Sequence, residues 1–356
     1  MPNARDFESV TLGRRRRFYN LSMLAQALLA VALLASRSLV QAQAQPPVAW
    51  EQWQHQVGIV DVGMRRDGSL MTMIAGHLFV VSATTGAATP FANGPDGFSA
   101  DPNAEPYFVV TPDLGEGAGR CSWTADDVYV LDLTVPPGIA HLDTSGHASR
   151  LATLSGVDTL GGIALDTTGR FDHRLLVTGT HGGNQTTVFA IDCDGGSAVI
   201  NDAAPVVEGG IAVAPATFGQ FAGDLIAPDE NSGQIWAIDP SGSVALVANS
   251  GLPTGGDTGV ESAGFVPPGF IGSGGFAYLA DRGTPNNPFP GTDSLLRLSA
   301  AALASAGIED GDLLVSTEGN GTTIAIRCAE TCSVRPAAQG TNGGHIEGHI
   351  AMAPSP

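Results

Sequence analysis

The sequence predicts an all-β fold in the form of a six-bladed β-propeller, with five or seven blades as alternatives. The prediction rests on a repeated motif, on the spacing of that motif and on the abundance of turn-forming residues. Four stretches align without gaps, each with an initial Glu, an apolar centre and a final Pro: "EPYFVVTP" from Glu105, "EGGIAVAP" from Glu208, "ESAGFVPP" from Glu261 and "EGHIAMAP" from Glu347. The 47 Gly and 23 Pro residues indicate many tight turns and few long helices.

The spacing of the motif fits a propeller blade. A fifth stretch, "LGGIALDT" from Leu160, keeps the apolar pattern, and the starts at 105, 160, 208 and 261 are separated by 55, 48 and 53 residues. The motif is followed by a strand, a polar turn and a second strand, as in "GDLIAPDENSGQIWAID". A unit of three or four antiparallel strands cannot bury its own faces, but copies arranged radially around an axis can.

Ring closure accounts for the two ends of the predicted domain. The stretch "SLMTMIAGHLFVVSATTGAATPFA" resembles a blade without its first strand, and "EGHIAMAP" at the C-terminus is a first strand without a blade. We therefore expect the C-terminal strand to be the innermost strand of the first blade. The blade from Glu261 then continues into "GFAYLADRGTPNNPFPGTDSLLRLS", the unit at 312–338 has no clear first strand, and "SAAALASAGIEDG" is a helical insert.

Residues 1–45 are predicted to be an export signal with its cleavage region, and residues 46–356 a single propeller domain. Arg15 and Arg16 precede the apolar run "LSMLAQALLAVALLAS", and Ala42 and Ala44 form an A-x-A cleavage pattern. The arginine pair resembles the twin-arginine type of signal. The expected location is the periplasm or the extracellular space, and a retained membrane anchor is the alternative.

The chain is strongly acidic, with a formal net charge of −19, and all 16 of its basic residues are arginines. Because an acidic surface repels phosphate groups, we expect no binding to nucleic acid, and none to a membrane once the signal is cleaved. The expected partner is a small-molecule substrate or an extracellular ligand, and the expected state is a monomer.

Four cysteines in an exported protein predict two disulfides. Cys121 and Cys193 fall on the same predicted face of adjacent blades, and Cys328 and Cys332 flank a turn, so these two pairings are favoured. Spacing alone does not fix the connectivity. The stretch "CAETC" also has the form of half a zinc site, but the sequence holds no second pair of this kind to complete it.

The starts of the innermost strands are predicted to converge at one mouth of the central channel. Glu105, Glu208, Glu261 and Glu347 would then face one another, and neighbouring carboxylates repel unless a cation neutralises them. Oxygen ligands in this number favour Ca²⁺, with Mg²⁺ or Mn²⁺ as alternatives. The competing interpretation is that these glutamates bind backbone amides or arginines as part of the repeat.

Five other side chains are candidates for catalysis: Glu230, His181, Arg282, Glu318 and His349. All but the last lie in turns between second and third strands, which open on the same face as the glutamates. An acid or a histidine beside a metal can serve as general base for water, and an arginine either binds an anionic substrate or balances the acids. His345 and His349 alternate with Glu347 along one strand, but neither histidine recurs in other blades.

The motif begins with "EG" at Glu208 and Glu347, and here the sequence resembles the SMP-30/gluconolactonase and NHL-like superfamily of propellers. In the SMP-30/gluconolactonase group a divalent metal is held on the axis by acidic or amide residues that open innermost strands. The resemblance implies a metal-dependent hydrolase of lactones or esters. The rival hypothesis is a non-catalytic binding propeller with a structural cation.

Overall fold

Six four-stranded antiparallel sheets form the part of the chain that the structure, a computed structural model, describes: residues 48–114, 122–183 and 185–355. The sheets are the blades of a propeller, so the predicted all-β class and the number of six blades are confirmed. We number the blades I to VI.

Blades I to IV follow the order of the chain, each from its innermost to its outermost strand. Their strands are β2 (Ile59–Met64), β3 (Leu70–Ile74), β4 (His77–Val81) and β5 (Ala88–Phe91) in blade I; β6 (Phe108–Val110), β7 (Val128–Asp132), β8 (Gly138–Leu142) and β9 (Ala148–Thr153) in blade II; β10 (Thr159–Leu165), β11 (Leu175–Thr180), β12 (Thr186–Ile191) and β13 (Ser197–Ala204) in blade III; β14 (Ala212–Val213), β15 (Leu225–Asp229), β16 (Gln234–Ile238) and β17 (Val244–Asn249) in blade IV.

Blades V and VI are interleaved in the chain. Blade V contains β18 (Val260–Phe265), β21 (Leu313–Thr317), β22 (Thr323–Cys328) and β23 (Cys332–Ala338). Blade VI contains β24 (Ile346–Ala353), β19 (Phe276–Asp281), β20 (Ser294–Ser299) and β1 (Glu51–His55). The chain therefore leaves blade V after its innermost strand, forms the two middle strands of blade VI, and returns to blade V.

Ring closure by the C-terminal strand is confirmed, but the strand joins a different blade from the one expected. β24 pairs with β19, and β1 pairs with β20 on the outer side of the same sheet. Blade I has an innermost strand of its own, β2, whose sequence "IVDVGM" carries neither the Glu nor the Pro of the motif. The predicted partner of the "ESAGFVPP" strand was also wrong, because β18 pairs with β21.

The return to blade V passes through the predicted helical insert, which is confirmed as the short helix α1 (Ala300–Ser305). The side chain of Ser299 caps its first turn by accepting a hydrogen bond from the backbone N–H of Ala302. Ala300 and Leu303 are buried against the core of blades V and VI, which explains why a helix is tolerated in this connection.

Burial follows the position of a strand in its blade. All five residues of β15 are buried, because a middle strand packs against the neighbouring blades on both faces. The outermost strand β13 buries one of its eight residues fully and exposes five. The core accordingly consists of apolar layers between adjacent blades.

The disulfide between Cys328 and Cys332 is confirmed and closes the turn between β22 and β23, where the two cysteines lie opposite each other. Cys193 is also disulfide-bonded, and Cys121, its predicted partner, lies outside the described residues. The predicted export signal lies outside them as well. Among the described residues, no helix is long and apolar enough to cross a membrane.

Candidate functional site

A cavity of about 600 Å³ lies at the channel mouth where the innermost strands begin. Its acidic lining residues are Glu105, Glu208, Glu230, Asp257, Glu261, Glu318 and Glu347, and its basic ones among the described residues are Arg282 and His345. The structure therefore brings the four predicted axial glutamates together in one cavity, as well as three of the five catalytic candidates. Seven carboxyl groups face one guanidinium and one imidazole.

Local backbone features direct the axial glutamates into this cavity. In β18 a β-bulge leaves Glu261 without a partner, since Val260 pairs with Thr317 and Ser262 with Ser316. A bulge turns the unpaired side chain out of the regular alternation of the strand. The glycine after Glu347 in the "EG" pair, Gly348, has a φ of +66°, a conformation that favours glycine.

Glu347 is the most buried acid of the cavity, with 1% of its surface exposed. Its carboxylate accepts a hydrogen bond of 2.6 Å from the Tyr107 hydroxyl, and lies 3.2 Å from His345 Nε2 and 3.4 Å from Arg282 Nη1. Burial opposes its ionisation, but the hydrogen bond from His345 and the charge of Arg282 outweigh burial and lower the pKa of Glu347. Glu347 is therefore the carboxylate that keeps its charge.

Tyr107 bridges two of the axial glutamates. Its hydroxyl lies 2.7 Å from Glu261 Oε1 and 2.6 Å from Glu347 Oε2. A phenol carries one proton and can donate to only one of them, so the other carboxyl group must donate to the phenol oxygen. Burial and the charge of Glu347 raise the pKa of Glu261 well above its usual range. We therefore assign the donated proton to Glu261.

Arg282 neutralises part of the acidic charge. Its Nη1 contacts carboxylate oxygens of Glu105 and Glu347, and its Nη2 donates to the carbonyl oxygen of Asn103 at 2.7 Å. Arg282 has 9% of its surface exposed. Its guanidinium group is occupied by these protein acceptors. Of its two predicted uses, this geometry matches the balancing of acids rather than the binding of an anionic substrate.

A second group of side chains borders Glu347. His345 Nε2 lies 3.0 Å from Glu318 Oε1, and ligand atoms of His345, Glu318 and Asp257 all lie within 4.8 Å of one another. Burial, followed by the charge of Glu347, raises the pKa of Glu318 to about 10, and burial also raises the pKa of Glu230, whose carboxyl group interacts with that of Glu318. Without a cation, a proton must be held within this pair.

Glu105 and Glu208 form the more open side of the cavity. The charge of Glu347 and burial raise the pKa of Glu105 to about 7 despite the opposing charge of Arg282. Glu208 is the more exposed of the two. Partial burial of its carboxyl group, together with the charges of Glu230 and Glu347, raises the pKa of Glu208 to about 7. Both groups therefore exchange protons near neutral pH.

Two predicted catalytic residues lie outside the acidic cavity. His181 has 73% of its side chain exposed, and its Nδ1 lies 3.1 Å from Asp158 Oδ2. His349 lines a different cavity of about 370 Å³, formed largely by apolar residues toward the opposite ends of the innermost strands. Neither histidine is placed beside Glu230 or Glu318.

Sequence reasoning did not select Asp257, Tyr107 or His345. Asp257 lies in the connection from β17 to β18, and connections between blades open at the same mouth as the second-to-third-strand turns. That topological rule was available and could have found it. Tyr107 follows Glu105 by two residues, so strand alternation could have placed both on one face. His345 precedes the strand and does not recur in the repeat, so the motif gives no signal for it.

Fold and cavity together define a class of protein: a six-bladed β-propeller with an acidic site at one mouth of its central channel. The six-bladed architecture is the fold that the resemblance to SMP-30 and NHL-like propellers implies. No protein-family profile and no curated protein sequence matches the chain.

Several solved structures are similar to this chain. Virginiamycin B lyase from Staphylococcus aureus has 12% identity and a TM-score of 0.45, with 83% of this chain and 85% of that chain covered. A streptogramin B lyase has 13% identity, a TM-score of 0.42 and coverages of 86% and 93%. Regucalcin, a calcium-binding protein from Agrobacterium tumefaciens, has 12% identity, a TM-score of 0.38 and coverages of 67% and 74%. At these scores the similarities carry no argument about activity.

Proposed function

We propose that the protein is an exported, divalent-metal-dependent hydrolase that cleaves small lactones or esters in the acidic cavity. The observation that carries the proposal is the excess of carboxyl groups there: seven acids line the cavity beside Arg282 and His345. Clustered buried carboxylates must take up protons or a cation. Perturbed titratable groups that converge in a cavity are typical of catalytic sites.

The donor set suits a divalent cation. Carboxylates and an imidazole are common metal ligands, and one carboxylate oxygen, Glu230 Oε1, is buried without a hydrogen-bond partner among the described residues. A divalent cation supplies Lewis acidity to a carbonyl group. The sequence favours Ca²⁺, with Mg²⁺ or Mn²⁺ as alternatives.

The acids of the cavity support hydrolysis by their distinct environments. We assign Glu230 as the general base, whose carboxylate accepts a proton from the attacking water. The water oxygen bonds to the acyl carbon, and the alkoxy group leaves with a proton from Glu208, which carries one near neutral pH because its pKa is about 7. One proton is taken up and one is returned, so the step balances.

The substrate should be neutral or cationic. An anion would meet seven carboxyl groups, and the guanidinium of Arg282 is already occupied by Glu105, Glu347 and a backbone carbonyl. Lactones and esters are neutral molecules, and the acidic mouth does not repel them. Export is supported by the N-terminal sequence and is consistent with the disulfide between Cys328 and Cys332.

The test is a panel of lactones and esters offered to the purified mature protein, with and without chelator and with Ca²⁺, Mg²⁺ or Mn²⁺ restored. We expect hydrolysis that chelator abolishes, and a loss of at least about a hundredfold in kcat for Glu230→Gln. Glu330→Gln, in the distant turn closed by the disulfide, is the matched control. Stoichiometric metal without hydrolysis of any panel member would instead favour the non-catalytic binding propeller.

A further inference from the structure

Three side chains from three separate segments present metal-ligand atoms to one point of the cavity. Asp257 comes from the connection between blades IV and V, Glu318 from the turn after β21, and His345 from the residue before β24. One ligand atom of each lies within 4.8 Å of those of the other two. Such distances are compatible with binding to one common ion, because ligands about 2.0 to 2.3 Å from a metal lie about 3 to 4.5 Å apart.

A second observation, independent of this clustering, points to a cation here. Glu230 is 91% buried, yet its Oε1 has no hydrogen-bond partner among the described residues. A Cβ atom on Gly256 would lie 3.8 Å from this oxygen, so the unpaired atom borders the segment that carries Asp257. A buried carboxylate oxygen without a partner is unfavourable, and a cation at the cluster would compensate it.

The axial glutamates are less available to an ion. Glu347 and Glu105 contact Arg282, and Glu347 and Glu261 contact the hydroxyl of Tyr107. An ion bound among these three acids would compete with a guanidinium and a phenol that the fold already provides. Asp257 is exposed, whereas Glu318 and His345 are buried, so the cluster is open to solvent on one side.

We infer that Asp257, Glu318 and His345 form the divalent-metal site of the cavity, and that the site takes a Zn²⁺- or Mn²⁺-type transition ion in preference to Ca²⁺. The imidazole decides the class, because Ca²⁺ takes oxygen ligands whereas transition ions bind imidazole nitrogen well. The inference rests on the proposed function for the use of the cavity, but metal binding is measured without any substrate.

The experiment is a titration of the chelator-stripped mature protein with Mn²⁺, Zn²⁺, Co²⁺ and Ca²⁺. Binding is measured by calorimetry and, for Co²⁺, also by visible absorption. We expect one transition ion per chain, bound more tightly than Ca²⁺. Asp257→Asn, in an exposed connection, should weaken binding more than about tenfold. His345→Gln should change the Co²⁺ absorption bands, because a nitrogen ligand is lost. Glu208→Gln, which removes an axial acid of the same cavity, should weaken binding less than Asp257→Asn.

Three results would overturn the inference: no stoichiometric transition ion, tighter binding of Ca²⁺, or a loss of affinity in Glu208→Gln that equals the loss in Asp257→Asn. Glu330→Gln controls for a general change of charge. Transition-metal binding with the expected variant pattern, but without hydrolysis of the lactone and ester panel when that same ion is restored, would uphold the metal site and contradict the proposed function. The two failures are therefore distinguishable.

Discussion

His349 and Asp61 join the last strand of the chain to the innermost strand of blade I. His349 Nδ1 lies 3.0 Å from Asp61 Oδ2, and His349 Nε2 lies 2.8 Å from the carbonyl oxygen of Ile163 in blade III. Both ring nitrogens therefore face acceptors and must carry protons, which makes the ring an imidazolium. Burial opposes that charge, but the charge of Asp61 and its hydrogen bond outweigh it and raise the pKa of His349.

Truncation of His349 should destabilise the ring strongly. Asp61 is fully buried, and in His349→Ala its carboxylate would lose the cationic partner. Removal of one partner from a buried pair typically costs about 3–5 kcal/mol. We expect a decrease of about 3 kcal/mol in the free energy of unfolding, measured by urea denaturation. A decrease below about 1 kcal/mol would contradict the ion pair.

The glycine of the "EG" pair at Glu347 should resist substitution. Gly348 has a φ of +66°, and an added Cβ would collide with the carboxylate of Asp61 and lie 2.9 Å from the carbonyl oxygen of Val60. Gly251 is the matched control, since its φ is +71° and nothing lies within 4 Å of its Cβ position. Gly251→Ala should cost about 1–2 kcal/mol for the left-handed conformation alone.

Gly348→Ala should cost at least about 2 kcal/mol more than the control, because core atoms of two blades must also move. The comparison of the two denaturation midpoints isolates the collision from the backbone strain. Equal losses of stability in the two variants would show that Asp61 and Val60 shift freely. The close approach of the strands would then not explain why a glycine is needed at position 348.

The repeat predicted the number of blades but not the partners of every strand. A Glu at the start and a Pro at the end mark a strand as innermost, and β18 and β24 share that mark. The mark does not say which blade a strand joins, because the innermost strands resemble one another. The pairing is decided by long-range contacts: β19 pairs with β24, and β20 pairs with β1. β2 escaped detection because its sequence "IVDVGM" carries neither the initial Glu nor the final Pro of the motif.

The candidate site was predictable to the extent that its residues recur. Glu208, Glu261 and Glu347 occupy equivalent positions, and their convergence follows from the radial arrangement of blades. Asp257 and His345 occur once each, in a connection and before a strand, so periodicity carries no information about them. The paired protons and the neutralising contacts of Arg282 depend on distances between blades that are remote in sequence.

Arg297 should contribute to ring closure at the outer edge of blade VI. Its guanidinium bonds Glu51 of β1 at 3.0 Å and lies over the rings of Trp53 and Phe276, at 5.2 and 4.8 Å from their centroids. Each cation–π contact at such a site is worth about 0.5–1 kcal/mol. We expect Arg297→Gln to lower the free energy of unfolding by about 1–2 kcal/mol in chemical denaturation.

The control for this prediction is Arg66→Gln. The side chain of Arg66 is 67% exposed and its Nη1 lies 3.4 Å from Asp113 Oδ2, so a surface ion pair is tested without ring contacts. A surface substitution of this kind should change stability by less than about 0.5 kcal/mol. Similar losses for the two arginines would mean that the stacked contacts to Trp53 and Phe276 add nothing.

The acidic cavity should make the stability of the metal-free protein fall as pH rises. The pKa values of Glu105 and Glu208 are raised from 4.5 to about 7, so between these values the folded chain holds protons that the unfolded chain has released. The stabilisation is complete below pH 4.5 and is lost as pH rises through about 7. Glu318, whose pKa is about 10, acts in the same direction, whereas the lowered pKa of Glu347 has its effect only in more acidic solution.

We therefore expect the Tm in chelator, measured by differential scanning fluorimetry, to decrease from pH 5 to pH 8. Glu208→Gln should reduce that slope, because its neutral amide has no proton to release, and Glu330→Gln should retain it. Saturating divalent metal should raise the Tm most at pH 8, since the cation replaces the lost protons as the partner of the carboxylates. A wild-type Tm that increases with pH in chelator would mean that the carboxyl groups of the cavity are ionised without cost in the folded protein.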